Sequence, residues 1–319
     1  MIQLQYEDLP SEALGETVVT MGNFDGVHLG HQTLVQSAVS DSNTMGVQCV
    51  VVTFHPHPAA FFHKNGTIPT ICSENYKAKL MQRLDADAIL TLHFNAVIAS
   101  MDPETFIHKI LIERLNAKVL WIGYDFKFGR ERSGNVRTLI ELGEKYDIRT
   151  NVLSPQRKQG MVVSSSRIRE FIVSGNVGDA ASLLERKHLI RGTVIHGDAV
   201  GRTLGFPTVN LHVTEGMIPG MGIYSGVARV RKKTYPAAIY IGHRPSLPGN
   251  SLRVEAYLID FSGDLYANRV SLAFLRFIRK EAAFSKISEL KKMIALDCDN
   301  TVKDYSDYMA RAAEEPIIW

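Results

Sequence analysis

The hydrophobic pattern of the chain changes near residue 187, and this change limits the folds that the sequence can adopt. Before it, strand-like apolar runs alternate with helical patterns. The runs cover residues 17–22, 47–54, 88–92 and 118–123. Such alternation predicts βαβ units around a parallel sheet, with ligands at the carboxyl ends of the strands.

Three helical patterns are clear in this part of the chain. One follows Asp102 and Pro103, a favourable N-cap and first-turn pair. Its apolar residues recur at helical spacing: Phe106, Ile107, Ile110, Leu111 and Leu115. The others span residues 166–174, with Gly175 as the residue that ends the helix, and residues 179–186.

The second part of the chain reads differently. From about residue 190 to 274, short β-rich runs are separated by turn residues, and no long helical period is present. This pattern predicts a small antiparallel barrel, and a helical pattern returns at residues 285–313. We therefore predict an α/β + β chain: a Rossmann-like domain at residues 1–186, then a β-barrel domain with a C-terminal helix at residues 187–319.

Composition excludes several classes of protein. With 45% hydrophobic and 22% charged residues, the chain is neither mainly disordered nor collagen-like. No apolar run reaches the roughly 18 residues of a spanning helix, and residues 1–16 lack the apolar stretch of a signal peptide. The three cysteines have no CxxC spacing, which favours a reduced, cytoplasmic location. A net charge of +3 gives no indication of nucleic-acid binding.

The densest motif, MGNFDGVHLGH at residues 21–31, directly follows the first of these strands and opens a helix. Its three glycines permit tight turns and close backbone approach, and the helix N-terminus favours an anion. His28 and His31 are three residues apart, so they share a helix face. Two imidazoles with backbone donors fit the phosphate of a nucleotide. A metal site lacks a nearby third ligand, and the remaining alternative is a pair of ordinary surface histidines.

These residues carry a family resemblance. HLGH at residues 28–31 resembles the HxGH signature of the nucleotidyltransferase superfamily. Together with TFHPHP at 53–58, GYDFKFG at 123–129 and SSSRIRE at 164–170, the longer motif resembles the bacterial bifunctional riboflavin kinase/FMN adenylyltransferases (FAD synthetases). The resemblance covers roughly residues 10–300 and implies that the first domain is a nucleotidyltransferase.

The resemblance implies in-line attack of the FMN phosphate on the α-phosphorus of ATP, with release of pyrophosphate. His28 and His31 match the family's catalytic, phosphate-binding histidines. Further matches are expected to bind the nucleotide: Gly22, Asn23, Phe24, Asp25, Gly30, Asp125, Ser165, Ser166 and Arg169. The chain departs from the family at His55, where an acidic residue is usual. For His55 and His57, a proline-stiffened loop without chemistry is the simplest interpretation, and a metal site is the alternative.

A second glycine-rich stretch spans residues 192–210. Four glycines with one arginine predict a loop around a phosphate, and the Walker A pattern is absent. The stretch resembles the riboflavin kinase domain, whose Pro-Thr-Ala-Asn motif appears here as residues 207–210. By this match Thr208 and Asn210 bind Mg²⁺ and ATP. Loop residues expected to bind nucleotide are Gly197, Gly201, Arg202 and Gly205. A glycine-rich hairpin capped by Thr and Asn is the alternative.

Glu255 lies in a strand by alternation and matches the kinase family's catalytic glutamate, which accepts the proton of the riboflavin 5′-hydroxyl. Arg279 is expected to contact flavin or nucleotide. The barrel departs from the family at His243, Ser246 and Ala267. At Ala267 the family has glycine, and an alanine adopts a positive φ at greater cost. These departures predict weaker flavin binding or a slower kinase.

The main hypothesis is an enzyme that converts riboflavin to FMN and FMN to FAD, using ATP and Mg²⁺ and releasing ADP and pyrophosphate. The alternative is a monofunctional FMN adenylyltransferase with a kinase-impaired barrel that binds flavin. A nucleic-acid-binding barrel has only the basic run at residues 231–233 in its favour, and a solvated hairpin explains that run. A nucleotidyltransferase for another acceptor leaves residues 192–210 unexplained. We expect no nucleic-acid or membrane partner, and an oligomer is compatible with the sequence.

Overall fold

The computed structural model describes residues 1–6, 14–62, 69–197, 200–243, 252–313 and 317–319. They form two compact units, Met1–Val163 and Ser164–Trp319. The boundary predicted between residues 186 and 187 stays a prediction.

The described residues of the first unit contain a six-stranded parallel sheet. In the order β1-β4-β3-β2-β5-β8, its strands are β1 Ile2–Gln5, β4 Ala88–His93, β3 Gln48–His55, β2 Thr17–Met21, β5 Ala117–Gly123 and β8 Arg149–Leu153. The four predicted strands are confirmed. The two edge strands, β1 and β8, were missed because they are short and contain no buried residue.

Both faces of this sheet are covered, as parallel sheets require. Val18 of β2 faces Ala38 of the helix α1, whereas the next residue, Val19, faces the opposite core. That core contains Phe106 and Ile110. Helices of this unit are α1 Leu29–Met45, α2 Pro58–Phe62, α3 Glu74–Gln82, α4 Ala96–Ser100, α5 Pro103–Phe106 and α6 Val136–Lys145.

The helix predicted after Asp102 begins as expected, because the Asp102 carboxylate accepts the Thr105 N–H at 2.9 Å. α5 then continues as a π-helical segment, Ile107–Ile112. All five apolar residues predicted to share one face are buried. Two small hairpins complete the unit: β6 Lys127–Phe128 with β7 Gly134–Asn135, joined through a 3₁₀ turn at Arg130–Arg132, and β9 Arg157–Lys158 with β10 Met161–Val162.

The second unit begins with α7 Ser165–Val173 and α8 Val177–Leu184, close to the two predicted helices. A closed antiparallel barrel follows, as predicted. Its strands are β11 Leu189–Ile195, β12 Thr208–Glu215, β13 Gly222–Val230, β14 Lys233–His243, β15 Leu252–Leu258 and β16 Arg269–Arg279. A five-residue helix, α9 Val200–Leu204, lies between β11 and β12, and α10 Ile287–Ala310 is the predicted C-terminal helix.

Alternation along the barrel strands separates core from surface. Val254, Ala256 and Leu258 of β15 enter the barrel core, which leaves Glu255 on the outer face. No helix within the described ranges is long and apolar enough to cross a bilayer.

His188, next to β11, makes the stability of this unit depend on pH. Its ring is buried, stacks on Phe274, and donates from Nε2 to the Met217 carbonyl at 2.7 Å. Burial, with Arg186 nearby, lowers the pKa of His188 to about 4. Because an unfolded histidine titrates near 6.5, stability present above pH 6.5 is lost as pH falls toward 4, by about 2 kcal/mol at pH 5.

Urea denaturation at pH 7 and pH 5 tests this expectation. The His188→Gln variant can still donate a hydrogen bond but does not titrate, so it should lose about 2 kcal/mol less than the parent chain over this interval. Equal losses in the two proteins would contradict the assignment.

Candidate active sites

The sheet order places the first motif at a topological switch point. The chain proceeds from β2 to β3 and β4, then returns to place β5 on the other side of β2. Ligands of such folds bind at the carboxyl ends of the strands where the order reverses. The loop at residues 22–28 follows β2, and Asp125 follows β5, so both lie at this point.

The loop after β2 has an unusual backbone. Phe24, Gly26 and Val27 have φ values of 50°, 81° and 42°. A side chain at Gly26 would also approach Ile71 to 3.0 Å. Positive φ at a non-glycine residue costs energy and persists only where the surroundings enforce it, often at functional sites.

Asp25 supplies part of that enforcement. Its buried carboxylate accepts the Ile71 N–H at 2.9 Å and the Cys72 N–H at 3.4 Å. These bonds fix the loop to residues 71–72. Asp25 therefore positions the loop, and its contact with the nucleotide stays a prediction.

The two motif histidines lie together, as predicted. His28 is the N-cap of α1, and its Nδ1 accepts the His31 N–H at 3.3 Å. The two rings stack with centroids 3.6 Å apart and 14° between their planes. Because Nδ1 of His28 is an acceptor, the neutral ring carries its proton on Nε2, which can donate to an anion. A side chain at Gly30 would approach the His28 ring to 3.3 Å, so glycine allows the ring to lie against the first helical turn.

Lys77 supports the same loop and was not identified from the sequence. Its buried ammonium donates to Thr53 Oγ1 at 3.2 Å and to Glu74 at 3.0 Å. Thr53 in turn donates to the Asn23 carbonyl at 3.2 Å. A single lysine in α3 gives no periodic or motif signal that could have indicated this contact.

The structure explains part of the departure at His55. Its Nδ1 lies 3.9 Å from the Glu74 carboxylate, so α3 brings a negative charge close to the position where the family has an acid. His57 accepts the Ala59 N–H at 3.1 Å and caps α2. Within the described ranges, no group of three or more His, Cys, Asp or Glu side chains could hold a metal.

Beyond β5 lies a cavity of about 610 Å³. Asp125 lines it, together with the apolar side chains of Tyr124, Phe126, Val136 and Ile140. The other predicted phosphate-binding residues belong to the second unit. Ser165 and Ser166 form the first turn of α7, and Arg169 lies one turn further along.

In the barrel, strand pairing brings the predicted kinase residues together. Asn210 of β12 lies directly opposite Glu255 of β15. Thr208, on the same face of β12, donates from Oγ1 to Glu255 Oε2 at 3.2 Å. Two strands distant in sequence thus present a hydroxyl, an amide and a carboxylate at one place.

The glycine-rich segment passes directly over this group. A side chain at Gly197 would clash with the Asn210 amide, and one at Gly201 would lie 3.1 Å from Thr208 Oγ1. Gly205 has φ of 92°. Arg202 is exposed on α9. Glycine is therefore required at 197, against the Asn210 side chain, and at 201, where a side chain would also clash with the Phe206 carbonyl.

Comparison with known proteins places both sites in one family. Residues 11–167 match the FAD synthetase family and residues 184–304 match the riboflavin kinase family. A bifunctional riboflavin kinase/FMN adenylyltransferase of Buchnera aphidicola is 34% identical, covering 90% of this chain and 92% of that protein. The chain belongs to the bifunctional riboflavin kinase/FMN adenylyltransferase family.

Other relatives agree with this family. The enzyme of the same name from Escherichia coli K12 is 32% identical, covering 88% of this chain and 90% of that protein. A crystal structure described as a macrolide-efflux protein from Streptococcus pneumoniae has a TM-score of 0.85 and 28% identity, covering 94% of this chain and 99% of that one. That description concerns the other protein, and the structural match concerns the fold.

Arg279, which is predicted to contact flavin or nucleotide, binds a carboxylate of the C-terminal helix α10. Its Nε and one terminal nitrogen bind the buried Asp297 of α10, at distances down to 2.7 Å. The other terminal nitrogen donates to the Lys280 carbonyl at 3.1 Å. These bonds fasten α10 to the barrel, and the contact of Arg279 with flavin or nucleotide stays a prediction.

Ala267 adopts the positive φ that was expected to be unfavourable for alanine. Its φ is 59°, in the region that favours glycine. His243 is exposed at the end of β14, and Ser246 lies outside the described residues. The turn at this position therefore keeps the positive φ that favours glycine, although the residue is alanine.

Substituting Ala267→Gly should raise the free energy of unfolding by about 0.5–1 kcal/mol, because it removes the positive-φ penalty and adds some freedom to the unfolded chain. Ala295→Gly is the matched control, since Ala295 is exposed within α10, where glycine should cost about 1 kcal/mol. Chemical denaturation measures both. Destabilisation by Ala267→Gly would contradict the expectation.

Proposed function

We propose that this chain phosphorylates riboflavin to FMN in the barrel unit and adenylylates FMN to FAD at the motif after β2. ATP is consumed in both steps, giving ADP in the first and pyrophosphate in the second. Membership of the bifunctional family supports this proposal. The observation that carries it is the presence of both residue groups, His28 with His31 and Thr208, Asn210 with Glu255, each assembled in its own unit.

In adenylyl transfer, an oxygen of the FMN phosphate bonds to the α-phosphorus of ATP while the bond to the β-phosphate oxygen breaks. Negative charge develops on the phosphate oxygens. The stacked imidazoles and the N-terminus of α1 are positioned to stabilise that charge. Asp125 is proposed to contact the nucleotide, and the match of Ser165, Ser166 and Arg169 to the family's phosphate-binding motif stays a prediction. No covalent enzyme intermediate is required, so positioning supplies most of the acceleration.

In the kinase reaction, Glu255 is proposed to accept the proton of the riboflavin 5′-hydroxyl as that oxygen attacks the γ-phosphorus of ATP. Thr208 and Asn210 present hard oxygen atoms, which suit Mg²⁺. Gly197 and Gly201 bring the backbone close to Asn210 and Thr208, where a side chain would clash. Because the described residues provide few carboxylates at this place, ATP itself would supply most of the metal's ligands. Bound Mg²⁺ would neutralise the charge of the transferred phosphate.

The monofunctional alternative rests on the strained Ala267. Against it, Thr208, Asn210 and Glu255 remain assembled, and the bifunctional relatives match both units. We therefore favour an active kinase. A cytoplasmic location and the oligomeric state stay predictions.

Incubation of the purified chain with riboflavin, ATP and Mg²⁺, followed by chromatographic separation of the flavins, tests the proposal. FMN should appear first and FAD second. Unchanged riboflavin, with FMN still converted to FAD in a parallel sample, would leave only the monofunctional alternative.

A further inference from the structure

Arg253 has no place in the reaction described so far, yet it lies at the centre of the kinase residues. It precedes Glu255 by two positions on β15, so both side chains are on the outer face of the barrel. Its guanidinium forms a close ion pair with Glu255 and donates from Nε to Asn210 Oδ1 at 3.0 Å. About a fifth of the side chain is exposed.

Thr208 completes the arrangement through its bond to the other Glu255 oxygen. One guanidinium therefore contacts the proposed base and a proposed metal-binding oxygen at the same time. A carboxylate, an amide oxygen and a hydroxyl attract a cation, and in this structure Arg253 supplies the positive charge.

We propose that Arg253 is an internal counter-ion that holds Asn210 and Glu255 in place before the nucleotide binds, and that it must release them when a divalent cation arrives with the nucleotide. This inference rests on the proposed kinase function. A carboxylate engaged by a guanidinium is a poor acceptor for the riboflavin proton. A divalent cation and a guanidinium on the same oxygen atoms also repel each other strongly at contact distance.

Arg253 is accordingly a positioning residue that competes with the metal. Its Nε lies between the Glu255 carboxylate and the Asn210 amide oxygen, so one charged group contacts both. Releasing a charge-assisted hydrogen bond opposes binding of the divalent cation. Removing the guanidinium should therefore tighten metal binding by about tenfold or more.

Mn²⁺ is a suitable probe, because its binding to the full chain with saturating ADP can be followed by electron paramagnetic resonance without turnover. Arg253→Met, which keeps the apolar stem, should bind Mn²⁺ about tenfold more tightly than the parent chain. Arg269→Met is the matched control, since Arg269 lies in the same barrel but pairs with Glu215. It should leave Mn²⁺ affinity unchanged.

Measuring Mn²⁺ affinity at high salt separates the effect of the direct Arg253 contact from the effect of a changed net charge. The gain in Arg253→Met should persist in 0.5 M KCl, because long-range fields are screened there and direct contacts much less so. Unchanged or weaker Mn²⁺ binding in Arg253→Met, or a gain that disappears in salt, would overturn the proposal. If this variant does not fold, Arg253→Gln provides the same comparison. Absence of FMN formation by the parent chain would instead contradict the proposed function.

Discussion

Glu255→Gln should reduce riboflavin phosphorylation by roughly 10²- to 10⁴-fold, the usual contribution of a general base. The glutamine can still accept the hydroxyl bond that Thr208 now donates to Glu255, so the pocket should keep its shape. It cannot take the proton of the attacking riboflavin hydroxyl. Conversion of FMN to FAD should continue at the parent rate, because the motif after β2 lies in the other unit.

Initial rates of FMN formation from riboflavin measure this effect. Glu215→Gln is the matched control: Glu215 is a β12 carboxylate that pairs with Arg191 and Arg269 and is not in the proposed site. The control should retain the parent rate. A Glu255→Gln enzyme within about threefold of the parent would contradict general-base catalysis by this residue.

His28→Asn should lower the rate of FAD formation from FMN by roughly 10²- to 10³-fold, as expected for loss of one donor to a developing oxyanion. Asparagine is also a good N-cap residue, so its side-chain oxygen can accept the His31 N–H that His28 Nδ1 accepts now. What disappears is the donor at Nε2 and the stacked ring beside His31. FMN formation from riboflavin should be unchanged.

The matched control is His57→Asn, because His57 also caps a helix through Nδ1. It should keep nearly the parent rate of FAD formation. If His28→Asn retains FAD formation while its helix content is unchanged, the imidazole is not needed for the chemistry and the proposed role is wrong.

Much of the fold could be predicted because local signals agreed with the final packing. β2 and β3 are nearly continuous apolar runs, as expected for strands buried on both faces. Asp102 predicted a helix start because an aspartate at this position can accept a hydrogen bond from the first helical turn, as it does here. The positive φ at Ala267 was expected only through the family resemblance, because the family has glycine there and alanine itself gives no such signal.

The misses share a physical cause. The π-helical segment at Ile107–Ile112 has the apolar pattern of an α-helix, so spacing alone does not distinguish the two. Lys77 and Arg253 act through side-chain contacts between elements distant in sequence, which no local pattern records. The bond between Arg279 and Asp297 likewise joins β16 to the separate helix α10. Each of these depends on tertiary structure.

Two catalytic groups, His28 with His31 in the first unit and Glu255 with Thr208 and Asn210 in the second, are proposed to act in separate reactions. Supplying Glu255→Gln and His28→Asn separately with riboflavin or FMN, together with ATP and Mg²⁺, and measuring the flavins by chromatography tests this proposal most directly. Glu255→Gln should convert FMN to FAD but leave riboflavin unchanged, whereas His28→Asn should convert riboflavin to FMN and accumulate it. If either variant, folded as the parent, loses both activities, the account of two separate sites is contradicted.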